Sequence, residues 1–280
     1  MTTPSPRDWT APFAVAALGV AGVAMVGAIA TAADTGPFAG RSPATSDGGG
    51  TNADGAAPPI DHDDDATADP DADPADVQAA AAEAMADVTS VEFALELDGR
   101  PIFIDQFESI ALDGLLGQFT VPRSAQASLD VEVDGSLRTR IGAIALDDEV
   151  WISNPVTGNF ETLPAGYDID PSRFFDPEQG WQPLLANLQE VALVEIDDRG
   201  GQRYHLRGTA PAAEVRNVTA GLVRDQDVPV DLWIHPHSWL VTAAEFTTVI
   251  DGGETHWTLE LDRYGDRFEI QPPENLRVSP

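Results

Sequence analysis

The chain contains no cysteine and no lysine. Without cysteine there can be no disulfide, no thiolate metal centre, no cysteine nucleophile and no lipid attached through a thioether. Positive charge comes from arginine alone. The 15 basic residues face 47 Asp and Glu, giving a formal net charge of −32. Such a surface repels phosphate backbones and anionic headgroups, which excludes a nucleic-acid binder. An acidic, lysine-free composition suits either a high-salt habitat or a GC-rich genome, and composition alone does not separate the two. Catalytic signatures are also missing. There is no G-x-S-x-G elbow, no H-E-x-x-H, no P-loop and no dinucleotide-binding glycine pattern, so no enzyme and no cofactor are expected.

What is present divides along the chain. With 280 residues, 42% of them hydrophobic, the sequence can support a real core in one large or two small domains. Residues 1–10 form a short head, expected on the cytoplasmic side. Residues Ala11 to Ala33 then run 23 positions without a charge. That length can span a bilayer, which needs roughly 20 residues, and it exceeds the ~7–15 of a signal-peptide core. Ala30-Thr31-Ala32 is nevertheless an acceptable cleavage site. Export follows in either case, and an uncleaved anchor is the preferred reading. Residues 34–75 hold ten Asp and one Arg among Gly, Pro, Ala, Ser and Thr, with only Phe38 and Ile60 as large apolar side chains. Such a stretch cannot offset its ordering entropy and reads as a disordered tether with a reach of roughly 35 Å. Its DHDDDATADPDADPAD run lacks the glycine and terminal glutamate of an EF-hand, so a solvated acidic spacer is preferred to a calcium loop.

The folded domain is expected from Asp76 to the C-terminus. DVQAAAAEAMADVTS predicts a helix starting at Pro74 or Asp76, with Val77, Ala80, Ala81, Ala84 and Val88 on one side. Strand patterns then dominate. VEFALELDG alternates Val91, Phe93, Leu95 and Leu97 against Glu92 and Glu96, and SLDVEVDG does the same with Leu129, Val131 and Val133. Hairpins are expected to turn near Asp147-Asp148, near Arg199-Gly200-Gly201, at Pro236 and at Gly252-Gly253. A short helix falls in TAPAAEVRNVTAGL. This describes a long antiparallel meander, apolar on one face and acidic on the other.

Between those strands lies DPSRFFDPEQGWQPLLANL, which reads as helix. Asp170-Pro171 and Asp176-Pro177 are start signals, and Gln179 completes a capping box. Trp181, Leu184, Leu185 and Leu188 fall at i, i+3, i+4 and i+7. Pro183 is awkward inside that helix, so regular structure is expected only from about Gln182. The three helical segments, 76–89, 170–189 and 210–221, are too few to form their own core and must cover the apolar face of the sheet. Phe174, Phe175 and Trp181 then point inward as a lid. Whether the space beneath is filled or hollow does not follow from periodicity. Among other motifs, His235-Pro236-His237, with His205 and His256, reads as a polar turn rather than a metal site. Asn217-Val218-Thr219 fits a glycosylation acceptor only by chance.

The order of segments resembles the LppX/LprG-type (LppX/LprAFG) lipoproteins of mycobacteria and related actinobacteria. The matching stretches are DVTSVEFALELDG, VDGSL, DDEVWIS, YDIDPSRFFDPEQGWQPLLANL, YHLRGTAPAAEV, VPVDLWI and TLELDRYGDRFEIQPPE, covering about residues 76–276. The resemblance implies an α+β fold. A strongly curved antiparallel sheet forms a half-barrel, similar to lipoprotein localisation factors, with helices over its concave face and a hydrophobic cavity between. It also implies non-enzymatic transfer of acyl-chain ligands, such as glycolipids or triacylglycerol, across the cell envelope. Partners would be that lipid, the cell membrane and, for some members, a membrane lipid exporter; a monomer is expected. One departure matters. Members are normally anchored by a lipidated cysteine after the signal peptide, and this chain has none, so Ala11–Ala33 is expected to anchor it instead. The family supplies no catalytic motif. Cavity candidates are therefore assigned by facing alone: Phe93, Leu95, Leu97, Leu129, Val131, Val133, Leu206, Leu232, Ile234, Phe246, Trp257 and Leu259 on strands. Phe174, Phe175, Trp181, Leu184, Leu185 and Leu188 belong to the lid. A tethered sensor, adaptor or scaffold with a solid core is the competing reading.

Overall fold

Asp73 and Pro74 start the first helix as their residue types dictate. The Asp73 carboxylate accepts from the Ala75 amide at 2.9 Å, and Pro74 occupies a position that needs no amide hydrogen. The computed structural model describes residues 67–104, 108–147, 149–155, 157–162, 178–198, 201–219 and 221–276. The segments 11–33 and 34–66, and Phe174 and Phe175 of the expected lid, lie outside the described residues. The chain is already docked ahead of Asp76. Ala68 is buried, its amide donates to Gln202, and the Asp69 amide donates to the Tyr204 hydroxyl.

Helix α1 spans Pro74–Ala86 and strand β1 spans Ser90–Gly99. Next come β2 (Ile102–Phe103), β3 (Ile110–Thr120), β4 (Ser124–Val133), β5 (Leu137–Leu146), β6 (Glu149–Ser153) and β7 (Phe160–Thr162). Helix α2 (Trp181–Ala186) precedes β8 (Gln189–Asp197) and β9 (Arg203–Ala210), and α3 (Ala212–Val218) precedes β10 (Val228–Ile234), β11 (Val241–Ile250) and β12 (Gly253–Asp262). The strands form one open sheet in the order β7-β6-β5-β4-β3-β1-β12-β11-β10-β9-β8, with β2 paired to β3. The pairs in that order are antiparallel. Two meanders, β3–β7 and β8–β12, are thus joined by the first strand, and the sheet does not close into a barrel. The turns fit their residues. Asp251-Gly252, the two residues between Ile250 and Gly253, both hold positive φ, as a two-residue hairpin of the I′ type requires.

The helices are shorter than the sequence predicts. Segment 170–189 is helical, among described residues, only at Trp181–Ala186, because β8 takes over from Gln189. Starting at Trp181 places Pro183 in the first turn, where its missing N–H costs no hydrogen bond. The buried stripe of α1 is Val77, Ala81, Ala82 and Met85, so Ala80 and Ala84 sit at its margin rather than its centre. Strand β3 escapes the alternation pattern. A register shift between Leu112 and Gly114 moves the apolar phase from Ile110 and Leu112 to Leu115, Gly117 and Phe119.

Cross-strand register sorts the side chains into two faces. Val91, Phe93, Leu95 and Leu97 align with Leu261, Leu259 and Trp257 on one side and with Phe119, Gly117 and Leu115 on the other. The same row continues through Leu129 and Ile141 in one direction and through Phe246, Leu232 and Leu206 in the other. Helices α1 and α2 pack on this inner face: Val77, Ala81, Met85, Trp181, Leu184 and Leu185 share one buried cluster with Val91, Phe119, Leu232 and Leu261. Glu92, Glu96, Asp130, Glu132, Asp231, Glu245, Glu260 and Asp262 alternate onto the outer face. A second buried cluster of Ile110, Leu112, Val131 and Ile141 lies on the β3–β5 side.

Candidate ligand-binding face

The inner face carries no ionisable side chain on the alternating rows of β1, β4, β11 and β12. A non-polar molecule can lie on those rows without desolvating charge. Burial divides the sequence-predicted residues on this face into two sets. Leu206, Leu232, Ile234 and Trp257, with Trp181, Leu184, Leu185 and Leu188 of the lid segment, are buried in the main core. Val131 is buried in the second cluster. Phe93, Leu95, Leu97, Leu129, Val133, Phe246 and Leu259 are only half-buried although they point inward. They trace a band over β4, β1, β12 and β11 between the two clusters.

The first set is held by packing against protein. Leu232 and Leu185 have no exposed surface at all. Trp257 stacks on Phe246 at 5.2 Å and donates through Nε1 to Thr248, so its one polar atom is satisfied. Gln78 of α1 donates to the carbonyls of Leu185 and Leu188, which ties the end of α2 to the first helix. Tyr264 closes the lower end. Its hydroxyl donates to the Val241 carbonyl at 2.5 Å and approaches the Met85 sulfur at 3.7 Å. Burial pushes this phenol well above its ordinary pKa, and the Asp262 carboxylate adds to the shift.

The second set is apolar area that the described protein leaves partly uncovered. Its floor is locally thin. Gly117 of β3 sits under the Phe93 ring, and a Cβ there would lie 2.7 Å from Cε2 of Phe93. The small residues Ala127 and Ala143 continue that row across β4 and β5. Sequence reasoning missed Leu115 of β3, Ala127 of β4, Ala143 of β5 and Ile152 of β6. The β5 and β6 positions were visible as strands, but alanine in alternation gives too weak an apolar signal to single out.

Outside this face, an open groove of about 560 Å³ runs between α1 and α2, lined mainly by Ala75, Ala79, Ala82, Ala86 and Ala186. None of the predicted site residues lines it. The four described histidines lie apart from one another in setting and partner. His235 is buried in the β10–β11 turn, where its Nδ1 accepts from the Ser238 amide at 3.2 Å, while His237 is exposed. His205 stacks on Trp233 on the outer face and contacts Asp231 at 2.7 Å, and His256 meets Thr247. Among the described residues, no three His, Asp or Glu side chains converge as ligands for a metal. Among them, too, no helix is long and apolar enough to cross a membrane.

The architecture is an open antiparallel half-barrel with helices over an inner face whose central rows carry no charge. The chain belongs to the LppX_LprAFG lipoprotein family, whose model matches residues 73–270. Among solved structures it is similar to LprF from Mycobacterium bovis, with 16% identity and a TM-score of 0.56 over 73% of this chain and 98% of that one. It is also similar to lipoprotein LppX from Mycobacterium tuberculosis, with 16% identity and a TM-score of 0.48 over 71% of this chain and 100% of that one. No curated protein sequence matches the chain.

Proposed function

We propose that the domain binds the acyl chains of a lipid on its inner face and carries that lipid within the cell envelope without chemically altering it. The observation that carries this reading is the band of inward-pointing but half-buried residues, from Leu129 across Leu95 and Leu259 to Phe246. A solid-core scaffold would be expected to bury these central inward positions fully. Magnitudes narrow the ligand. Each buried methylene contributes about 0.8 kcal/mol, whereas association costs an estimated ~4–15 kcal/mol. A short chain is therefore held weakly, and a glycolipid or triacylglycerol with long or paired chains fits better. Residues 11–33 serve as the membrane anchor in place of the missing lipidated cysteine, and residues 34–66 as an acidic tether that keeps the monomeric domain on the extracytoplasmic side.

The test is a titration of delipidated protein with a fluorescent long-chain acyl probe. Saturable binding near one equivalent, displaced by a long-chain lipid, supports the carrier. Absence of saturable binding supports the tethered scaffold instead.

A further inference from the structure

The outer face of the sheet should be its wet face, yet part of it is dry. On β9–β12 and the later half of β1 the outer positions Glu96, Asp98, Glu260 and Arg207 are exposed, whereas the stacked His205–Trp233 pair is buried. On β3–β6, however, Gln118, Ser128, Ile144, Trp151 and Ser153 are all at least nine-tenths buried. Their register is informative. Glu92, Gln118, Gln126, Ile144 and Trp151 are successive partners in one row across five strands, and Ser128 and Ser153 flank Gly142 in the next row. A band of burial running at right angles to the strands requires something laid across them.

The C-terminal segment is pinned on both sides of that band. At the near end the Gly265 amide donates to the Ser90 carbonyl, and the Ser90 hydroxyl donates to the Asp266 carbonyl at 2.7 Å. Arg263 bonds Glu92 at 3.1 Å and Asp266 at 2.7 Å, and its guanidinium lies over the Phe268 ring. Gln118 donates to the same Glu92 carboxylate, and Gln126 to Gln118, so a polar ladder runs from the anchor along the buried row. At the far end the Phe160 amide of β7 donates to the Asn275 carbonyl, and Phe160 and Leu276 form a parallel bridge.

We propose that residues 264–276 are a strap of limiting length that sets how far the sheet can curl. From β1 to β7 is five strand spacings, about 24 Å along the sheet. The nine Cα steps from Asp266 to Asn275 reach about 30 Å when fully extended. The two anchors are also offset by four residues along β6, from the Glu149 row to Ser153, which makes the diagonal about 27 Å and leaves only about 3 Å of slack. A chain lying a layer height of ~10 Å outside the sheet must lengthen by ~10 Å for each radian of bend, so moderate curvature consumes all of it. A tie on the convex side therefore resists further curling and holds the concave face open whether or not a ligand occupies it. The inference concerns curvature and stands independently of what the inner face binds.

The cysteine-free chain permits a clean test. Spin labels on Leu137→Cys and Val249→Cys, both exposed and on opposite wings of the sheet, report the opening by double electron–electron resonance. The deciding variant inserts Gly-Ser-Gly-Ser after Ile270, which keeps both anchors and adds about 13 Å of contour. A strap predicts a broader distribution whose mean is shorter by roughly 5 Å, because the wings curl inward by the released length. A second variant ends at Ile270 and should behave the same way. An insertion variant with the distribution of the parent overturns the proposal, even if the truncation broadens it, because the segment is then a cover and not a tie.

Discussion

Replacing a leucine by tryptophan at two inner-face positions separates a hollow interior from a solid one. Leu232 has no exposed surface and sits in the main cluster between Leu206 and Ala244. A larger side chain there must displace packed neighbours, at ~1–3 kcal/mol or more. For a domain of this size each kcal/mol shifts the melting temperature by ~2–4 °C, so Leu232→Trp is expected to lose about 2–12 °C. Leu95 lies between Leu259 and Leu115 in the same face, but in the half-buried band. If the half-buried band is where an acyl chain lies, an indole growing from Leu95 enters that chain's volume rather than packed core, so its melting temperature should fall by less than ~2 °C. Because the indole and an acyl chain compete for that volume, Leu95→Trp should also lose most of its acyl-probe binding. Leu232→Trp, where it stays folded, should retain it. Differential scanning fluorimetry and probe titration on both variants decide the matter. Equal and large melting losses at the two positions would refute the reasoning, since Leu95 would then be core.

Other perturbations follow from the same geometry. Gly117→Ala places a Cβ against the Phe93 ring and forces the ring off the floor into the binding band; bound probe should drop several-fold with a modest melting loss, and unchanged binding would show that Phe93 does not border the ligand. Tyr264 holds its proton at pH values where the unfolded chain releases it. Its contribution is therefore complete below the ordinary tyrosine pKa of about 10 and is lost as pH rises above it. Tyr264→Phe should cost about 1 kcal/mol near neutrality by removing the bond to Val241, and should flatten the alkaline fall in stability; parallel alkaline limbs in the two proteins would contradict this. With a net charge of −32, self-repulsion should make the melting temperature rise between low and molar potassium chloride, and a salt-independent melt would refute that expectation.

The parts of this fold that sequence reveals are those with strict local periodicity. Phe93, Leu95 and Leu97 alternate with acids, and their register in the sheet is the one that pattern requires. Trp181, Leu184 and Leu185 keep helical spacing and are buried together, although β8 claims the chain sooner than the pattern implies. Strand β3 was hidden by its own bulge, which shifts the apolar phase by one residue at Asp113. The C-terminal strap was hidden for a different reason. EIQPPENL has no period, and its near anchor joins Ser90 to Asp266 across 176 residues. Facing alone also could not tell Leu95 from Leu232. Both point inward, and only the degree of burial, complete at Leu232 and partial at Leu95, distinguishes a core position from a candidate ligand contact.

The most direct test of a carrier is what the protein holds when it is isolated from the cell envelope. Native mass spectrometry of the exported domain, followed by organic extraction and identification of the released species, reads this without any mutation. The account predicts a lipid-sized adduct at near-stoichiometric occupancy, lost on extraction and containing long or paired acyl chains. A bare polypeptide mass from protein purified without detergent, with no extractable lipid and no rebinding of acyl probe, would contradict it.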